Sequence, residues 1–305
     1  MTTPFSSPTL AARIQTSLNA PVDPAVRAFA NDLGEGTGGL AVLFYGSNLR
    51  TGSLDGVLDF YVLLPGPVET GLWPRVSYHE REDGGRTLRA KVATMTLATF
   101  AAAAAGETLD TTIWARFVQP SGLVWVRDVQ QVAAVTQAVG AAAITAGRYA
   151  VALGPAAGTA EVYWRALFRA TYRAEFRVEK PGRENDILGV NSAHFAGLLP
   201  AALEAGGIAC TRDGDVLHPQ LDPVRAHQLR REWARRARLG KPYNLVRLLR
   251  ASTTFDGAAK YAAWKIERHT GVPVTLTPWR ERHPVLAAPG VLWRVWRARR
   301  SAARA

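Results

Sequence analysis

The chain has 305 residues, of which 48% are hydrophobic and 20% charged, so it can bury a substantial core and is not a disordered protein. The single cysteine, Cys210, excludes an internal disulfide framework and a zinc site made of cysteines, and it fits a reducing compartment. The formal net charge of +12 predicts an anionic partner: nucleic acid, a phosphate-rich substrate or an anionic membrane.

The N-terminal segment lacks a charged start followed by a long apolar run, so no signal peptide is expected. Helices are predicted over 9–18 and 24–33, the second with Asp23 as its N-cap and Pro24 at its first helical position. Apolar runs at 40–45 and 57–64 then predict two strands, separated by a polar turn.

The junction of these two strands carries the first candidate site. Gly46 lacks a side chain and permits a close backbone approach to a triphosphate, and Ser47 offers a donor for a phosphate. Asp59 on the second strand is a candidate ligand for Mg²⁺, with Asp55 in the preceding turn as a further one. Position 61 is Tyr, so the strand lacks a second carboxylate on the same face, and Gly-Ser before a strand is also ordinary turn chemistry.

The next segment predicts strands at 76–78 and 87–95 around an Asp-Gly-Gly turn, and a helix at 98–105. Arg89 and Lys91 share one face of their strand, where they either neutralise a triphosphate or form a solvated surface. Strands are predicted at 113–117 and 123–126. Arg116, on the first of these, is costly to bury unpaired and should meet a carboxylate or a substrate phosphate.

An alanine-rich stretch at 129–153 is long enough to raise the question of a membrane span. Glutamines, glycines and an arginine interrupt it, and it has few Leu or Ile residues, so a buried helix is predicted and no transmembrane segment. The composition shifts at 155–158, which predicts a boundary between a domain at 1–155 and a second at 156–305. Helices are predicted beyond it at 160–176, 187–205, 223–239, 242–250 and 256–269.

Two motifs resemble those of the mitochondrial-type phosphatidate cytidylyltransferases, the translocator-maintenance family of the nucleotidyltransferase superfamily. The run YGS at 45–47 followed by VLDF at 57–60 is similar to that family's first motif. The run TYRAEFRV at 171–178 is similar to its second motif, S-Y-x-G-D-x-R-M, and an N-x-x-x-F-like stretch follows at 191–195. Glu175 stands where the family has Asp, which keeps the charge but adds a methylene group.

The resemblance implies an α+β fold, in which a nucleotidyltransferase-type mixed sheet with flanking helices precedes a mainly helical C-terminal domain. It implies Mg²⁺-dependent transfer of cytidylate from CTP to phosphatidic acid, giving CDP-diacylglycerol and pyrophosphate in phospholipid biosynthesis. The resemblance makes Asp59 and Glu175, with Asp55 as a third candidate, the metal ligands. Gly46 and Ser47 would hold the triphosphate, and the phosphates of the two substrates would meet Lys91, Arg116 and Arg177.

The last residues, VLWRVWRARRSAARA, predict a basic amphipathic helix with Leu292, Val295 and Trp296 on one face. Such a helix suits peripheral contact with an anionic membrane, or else docks against the body as an ordinary terminal helix. A lipid substrate favours a cytoplasmic protein bound to the inner membrane face, with no nucleic acid expected as a partner. Alternatives remain: a nucleotidyltransferase with another phosphorylated acceptor, or an inactive basic protein that binds lipid or nucleic acid.

Overall fold

A computed structural model describes residues 9–71, 75–175, 183–282 and 284–302. The fold is α+β, as predicted, with a five-stranded mixed sheet flanked by helices and a helical C-terminal region. The strands of this sheet are β1 (Ala41–Tyr45), β2 (Leu58–Leu64), β3 (Arg75–Asp83), β4 (Arg86–Thr96) and β5 (Ser121–Val126). A small second sheet contains β6 (Gly158–Thr159), β7 (Cys210–Asp213) and β8 (Val216–Pro219).

The helices of the first half are α1 (Leu10–Leu18), α2 (Pro24–Thr37), α3 (Ser47–Thr51), α4 (Leu97–Ala104), α5 (Thr112–Phe117) and α6 (Gln130–Leu153). Those of the second half are α7 (Ala160–Ala174), α8 (Arg183–Val190), α9 (Ser192–Phe195), α10 (Leu198–Ala205), α11 (Pro223–Thr254), α12 (Ala258–Thr270), α13 (Pro278–Arg282) and α14 (Pro284–Ala302). The predicted cap of α2 is confirmed, because the Asp23 carboxylate accepts a hydrogen bond from the Ala25 amide at 2.8 Å.

The strand order of the main sheet is β3-β4-β2-β1-β5, in which β1 and β2 are antiparallel and β2 and β4 are parallel. Side chains alternate between the two faces of the sheet. Phe44 and Phe60 on one face pack against α2, whereas Leu43 and Tyr61 on the other face belong to the core around α6. Asp59 and Tyr61 are two positions apart on β2, so both project toward the α6 face.

One predicted strand is a helix in the structure. Residues 113–117 form most of α5 and are nearly all buried. A short, uniformly apolar run has no period that distinguishes a strand from a buried helix. Here the start of the helix is fixed by Asp110, whose Oδ1 accepts hydrogen bonds from the Thr112 amide at 3.1 Å and from the Thr112 hydroxyl at 2.7 Å.

Three predicted helices have different extents in the structure. The helix expected over 187–205 is divided into α8, α9 and α10. The breaks lie at Asn191, which has a non-helical backbone, and at Ala196 and Gly197, which are extended and left-handed (φ 72° for Gly197).

The two helices expected at 223–239 and 242–250 are one helix, α11, with Pro242 inside it. An interior proline removes one helical hydrogen bond and crowds the preceding turn, at a cost of about 3 kcal/mol. Contacts of Arg236 and Arg247 with the first half of the chain, on either side of Pro242, offset this cost.

The hydrophobic core continues across residue 155, where a domain boundary is predicted. Tyr149 of α6, Trp164 of α7 and Trp233 of α11 belong to one buried cluster. The division into two domains stays a prediction. Within the described ranges, no helix has both the length and the apolar character needed to cross a bilayer.

Candidate functional site

The site begins where β1 ends. Gly46 follows β1 with a φ of 90°, a conformation that residues with a Cβ rarely adopt. A Cβ on Gly46 would lie 3.0 Å from Oδ2 of Asp59, so the absence of a side chain leaves the Asp59 carboxylate accessible along the backbone. The antiparallel pairing of Tyr45 with Asp59 sets this arrangement.

A buried amide holds the turn between the Gly-Ser step and Asp59. The Asn48 side chain donates from Nδ2 to the carbonyl oxygens of Ser53 and Asp55, both at 2.8 Å. These hydrogen bonds fix the segment that returns the chain from α3 to β2 and so place Asp59 opposite Gly46. The sequence did not single out Asn48, although a polar residue after Gly-Ser is a signal for such a turn.

Asp59 lies among cations. Lys91 is its register partner on the parallel strand β4, and Arg116 and Arg50 also act on its charge. Burial raises the pKa of the Asp59 carboxyl, while the positive charges of Lys91, Arg116 and Arg50 lower it without cancelling the effect of burial. Each of these four residues is partly exposed, so the cluster is not sealed from solvent.

Arg116 lies on α5 and is held by two tyrosines. Its Nη1 donates to the hydroxyl of Tyr61 at 2.7 Å, and its guanidinium lies 4.9 Å from the centre of the Tyr45 ring. Burial disfavours the charged form, but Tyr45, Tyr61, Asp59 and Glu175 outweigh burial and raise the pKa of Arg116 above its usual value. The predicted carboxylate partners of Arg116 are therefore present, although the residue lies on a helix and not on a strand.

The charge of Glu175, from the second half of the chain, also acts on Arg116. Glu175 is the C-cap of α7, it is buried, and its carboxylate accepts a hydrogen bond from the hydroxyl of Thr111. Asp59 and Glu175, which the motifs select from distant parts of the sequence, therefore both raise the pKa of the same arginine.

A second acidic group lies beside this centre and was missed by the sequence reasoning. The Asp110 side chain is 1% exposed and forms an ion pair with Arg247 of α11, with Oδ1 2.9 Å from Nη1. Burial raises the pKa of the Tyr61 hydroxyl, and Arg116, Arg247 and Asp110 all act on this group. The other Asp110 oxygen, Oδ2, is buried without a hydrogen-bond partner. The sequence signal was that Asp110 and two threonines precede the apolar run at 113–117, and such residues are common near helix starts.

Two of the predicted site residues are not placed in this cluster. The Asp55 side chain is 76% exposed and pairs with Arg86 at 2.5 Å. Arg177 lies outside the described residues, so its predicted phosphate contact stays a prediction. Ser47 is exposed at the start of α3, next to Gly46, and its hydroxyl is 3.4 Å from the Asn48 side-chain oxygen.

The donor set bears on the predicted metal. In the part of the chain that the structure describes, no group of three or more His, Cys, Asp and Glu side chains is arranged to hold an ion. Mg²⁺ in phosphate-transfer sites is commonly held by one or two carboxylates together with substrate phosphates. Asp59, open along Gly46 and surrounded by cations, fits that type of site, in which the phosphates supply the remaining ligands.

No family model and no curated protein matches the chain. The chemistry of the site follows from its own residues. These are a solvent-accessible carboxylate beside a bare backbone, several cations and a second carboxylate supplied by α7.

The predicted membrane-binding tail forms α14. The exposure of its apolar side chains differs from the prediction. Val295 is buried, whereas Trp293 and Trp296 are 55% and 52% exposed. Val295 therefore packs inward, as in the alternative of a docked terminal helix, whereas Trp296 is exposed. The membrane contact of this tail stays a prediction. The side chains of Leu292, Arg299 and Arg300 lie outside the described part of the protein.

Proposed function

We propose that this protein is a Mg²⁺-dependent nucleotidyltransferase, and specifically a phosphatidate cytidylyltransferase. The observation that carries the proposal is the placement of Asp59 against Gly46, with Lys91 and Arg116 beside it. A carboxylate that can hold a metal, an unobstructed backbone and fixed cations are what a nucleoside triphosphate requires.

The reaction requires little proton transfer from the protein. A phosphate monoester has a second pKa of about 6, so its oxygen is mostly ionised near neutral pH and can attack without a strong general base. That oxygen forms a bond to the α-phosphorus of the triphosphate, and the bond between the α-phosphorus and the bridging oxygen breaks. Pyrophosphate leaves with the electron pair of the broken bond.

The roles of the residues follow from their charges and positions. Asp59, with Glu175 across Arg116, would hold Mg²⁺, which supplies charge neutralisation to the triphosphate when it is bound. Lys91 and Arg116 would stabilise the negative charge that develops on the phosphate oxygens. Tyr45 and Tyr61 keep the Arg116 guanidinium in place, so that it does not have to reorganise during the reaction.

The identity of both substrates is supported by the motif resemblance alone. The YGS and VLDF runs and the TYRAEFRV run favour CTP as the nucleotide and phosphatidic acid as the acceptor. A phosphate acceptor is also compatible with a site in which more than one cation acts on Asp59. A different nucleotide or another phosphorylated acceptor would keep the class of reaction and change the substrate.

A second candidate function is favoured by Lys91. Lys91 is paired with Asp59 on the neighbouring strand. A carboxylate at this position would give the site a second metal ligand, but the residue is a cation. A protein that binds a nucleotide or a lipid phosphate without catalysing transfer would need the cations more than the acids. If the protein is such an inactive binding protein, nucleotide binding should not depend on Asp59.

The test is to incubate the purified full chain with phosphatidic acid, Mg²⁺ and each of the four nucleoside triphosphates. We expect pyrophosphate and a labelled lipid product with CTP, and loss of both on chelation of Mg²⁺. Equal use of ATP would refute the cytidylyltransferase assignment. Nucleotide binding with no product under any condition would favour the inactive binding protein.

A further inference from the structure

The exposed face of α11 carries a row of cations. Arg231, Arg235 and Arg238 are spaced by four and three residues, so they lie on one face of the helix, and all three are exposed. The opposite face contains Leu229 and Trp233, which are buried in the main core. The helix therefore cannot turn these arginines inward, and they project from a fixed support.

None of these three arginines has a hydrogen bond or an ion pair with another described residue. Other exposed arginines of the chain do have acidic partners, for example Arg212 with Asp215 and Arg75 with Glu69. Like charges at this helical spacing repel one another and destabilise the helix. A row of unpaired cations on a rigid surface is complementary to an external array of negative charges.

Apolar side chains flank the row at both ends. Val224 precedes Arg231 by seven residues and Leu245 follows Arg238 by seven, so all four lie on the same face. Val224 is 66% exposed, and Leu245 and its neighbour Val246 are 48% and 49% exposed. The distance from Val224 to Leu245 along the helix is about 32 Å. Cations between exposed apolar groups match a lipid headgroup layer above acyl chains better than they match a nucleic-acid backbone.

We propose that the outer face of α11 binds the surface of an anionic lipid bilayer, with Arg231, Arg235 and Arg238 against the headgroups and Val224, Leu245 and Val246 inserted shallowly. The proposal names the membrane partner implied by a lipid acceptor and in that respect rests on the proposed function. Binding to vesicles requires no nucleotide, however, and can be measured whether or not the protein catalyses transfer. The bound helix would lie parallel to the membrane, and the attachment would be reversible.

The experiment measures binding of the full chain to phosphatidylcholine vesicles with and without phosphatidylglycerol, an anionic lipid that is not the proposed substrate. We expect binding only to the anionic vesicles, and weaker binding as salt is raised. The variant R231Q/R235Q/R238Q should bind less tightly by on the order of 100-fold, since each cation near an anionic leaflet contributes about a fivefold change. Thermal unfolding of the variant should remain near that of the parent protein, because the side chains are exposed and unpaired.

A matched control removes the same charge elsewhere. The variant R27Q/R75Q/R212Q changes exposed arginines on α2, β3 and β7, and it should bind anionic vesicles as the parent does. Equal loss in the two variants would show that only net charge matters and would overturn the proposal, as would unchanged binding by the α11 variant. If the α11 variant lost affinity for nucleic acid and not for vesicles, the surface would be a nucleic-acid site. Transfer to detergent-dispersed phosphatidic acid, measured on both variants, reports separately on the proposed reaction.

Discussion

Asp59 and Lys91 are register partners on the parallel strands β2 and β4, so a carboxylate and an ammonium group lie side by side on the α6 face of the sheet. The neighbouring strand thus supplies a cation at a position paired with the candidate metal ligand. The charge of Lys91 favours the ionised form of Asp59, in which a carboxylate can hold a metal, and it opposes the effect of burial on the pKa of Asp59.

Replacing Asp59 should separate activity from stability. Asp59→Asn removes the charge with little change of volume, and we expect nucleotide transfer to fall to background. Burial raises the folded-state pKa of Asp59, so its protonated form stabilises the folded protein at low pH, and that contribution is lost as the pH rises through the raised pKa. The neutral Asn should therefore leave the melting temperature at pH 7 unchanged or higher, as measured by thermal unfolding.

Two further acids provide the comparison for Asp59→Asn. Asp55→Asn should retain most of the activity, because the Asp55 side chain is 76% exposed and an exposed pair such as Asp55 and Arg86 contributes only about 0–1 kcal/mol. Glu175→Gln should lose transfer as Asp59→Asn does. Full transfer by a folded Asp59→Asn protein would remove the metal site from β2, and full transfer by Glu175→Gln would leave the downstream motif without a catalytic role.

The pH dependence of transfer should report on Lys91. Because the pKa of Asp59 is raised, activity should decline on the acid side at a higher pH than an ordinary aspartate would produce. Lys91→Met removes a charge that lowers this pKa, so the acid limb of kcat/KM should move to still higher pH. The exposed Lys260 of α12 offers a control in Lys260→Met, which should leave the limb in place. An unchanged acid limb in Lys91→Met would mean that Asp59 does not control it.

The hydroxyl of Tyr61 should matter for catalysis through Arg116. Tyr61→Phe keeps the ring but leaves Nη1 of Arg116 without its acceptor at 2.7 Å, which costs about 1–3 kcal/mol for a buried group. We expect kcat to fall by about tenfold or more, because the guanidinium is no longer held in one orientation. Tyr163→Phe serves as the control, since the Tyr163 hydroxyl is also buried but its hydrogen bond within the described residues is long, 3.5 Å to the Leu217 carbonyl. Equal effects of the two substitutions on kcat would contradict this role.

The buried ion pair of Asp110 and Arg247 should stabilise the junction of α11 with α5. Arg247→Met would leave the Asp110 carboxylate, 1% exposed, without its cation, and this should lower the free energy of unfolding by about 3–5 kcal/mol. The double variant Asp110→Asn/Arg247→Met should recover part of the loss, because no buried charge remains unpaired. Urea unfolding of both variants and of Arg212→Met, which breaks an exposed pair with Asp215, measures the difference. A loss for Arg247→Met no larger than for Arg212→Met would show that the buried pair is not structurally important.

Local sequence determined several elements of this fold. Asp23 and Pro24 begin α2 as their types predict, the apolar runs at 40–45 and 57–64 form β1 and β2, and the Gly-Gly turn joins β3 to β4. Asp59 beside Gly46 was also predictable, because both depend on a short segment whose register is set by one antiparallel pairing. These elements were predictable because each depends on interactions between residues that are close together in the sequence.

Tertiary structure decided the rest. The apolar period of 113–117 was ambiguous, and only packing against α6 with a cap from Asp110 made it a helix that presents Arg116 to the site. The continuity of α11 through Pro242 depends on buried contacts distant in sequence, and the pairing of Asp110 with Arg247 joins residues that no local pattern relates. Residue types and spacing identified the candidate groups for binding phosphates and metal. Which of these groups meet around Arg116 was decided by long-range packing, because contacts between distant segments leave no period in the sequence.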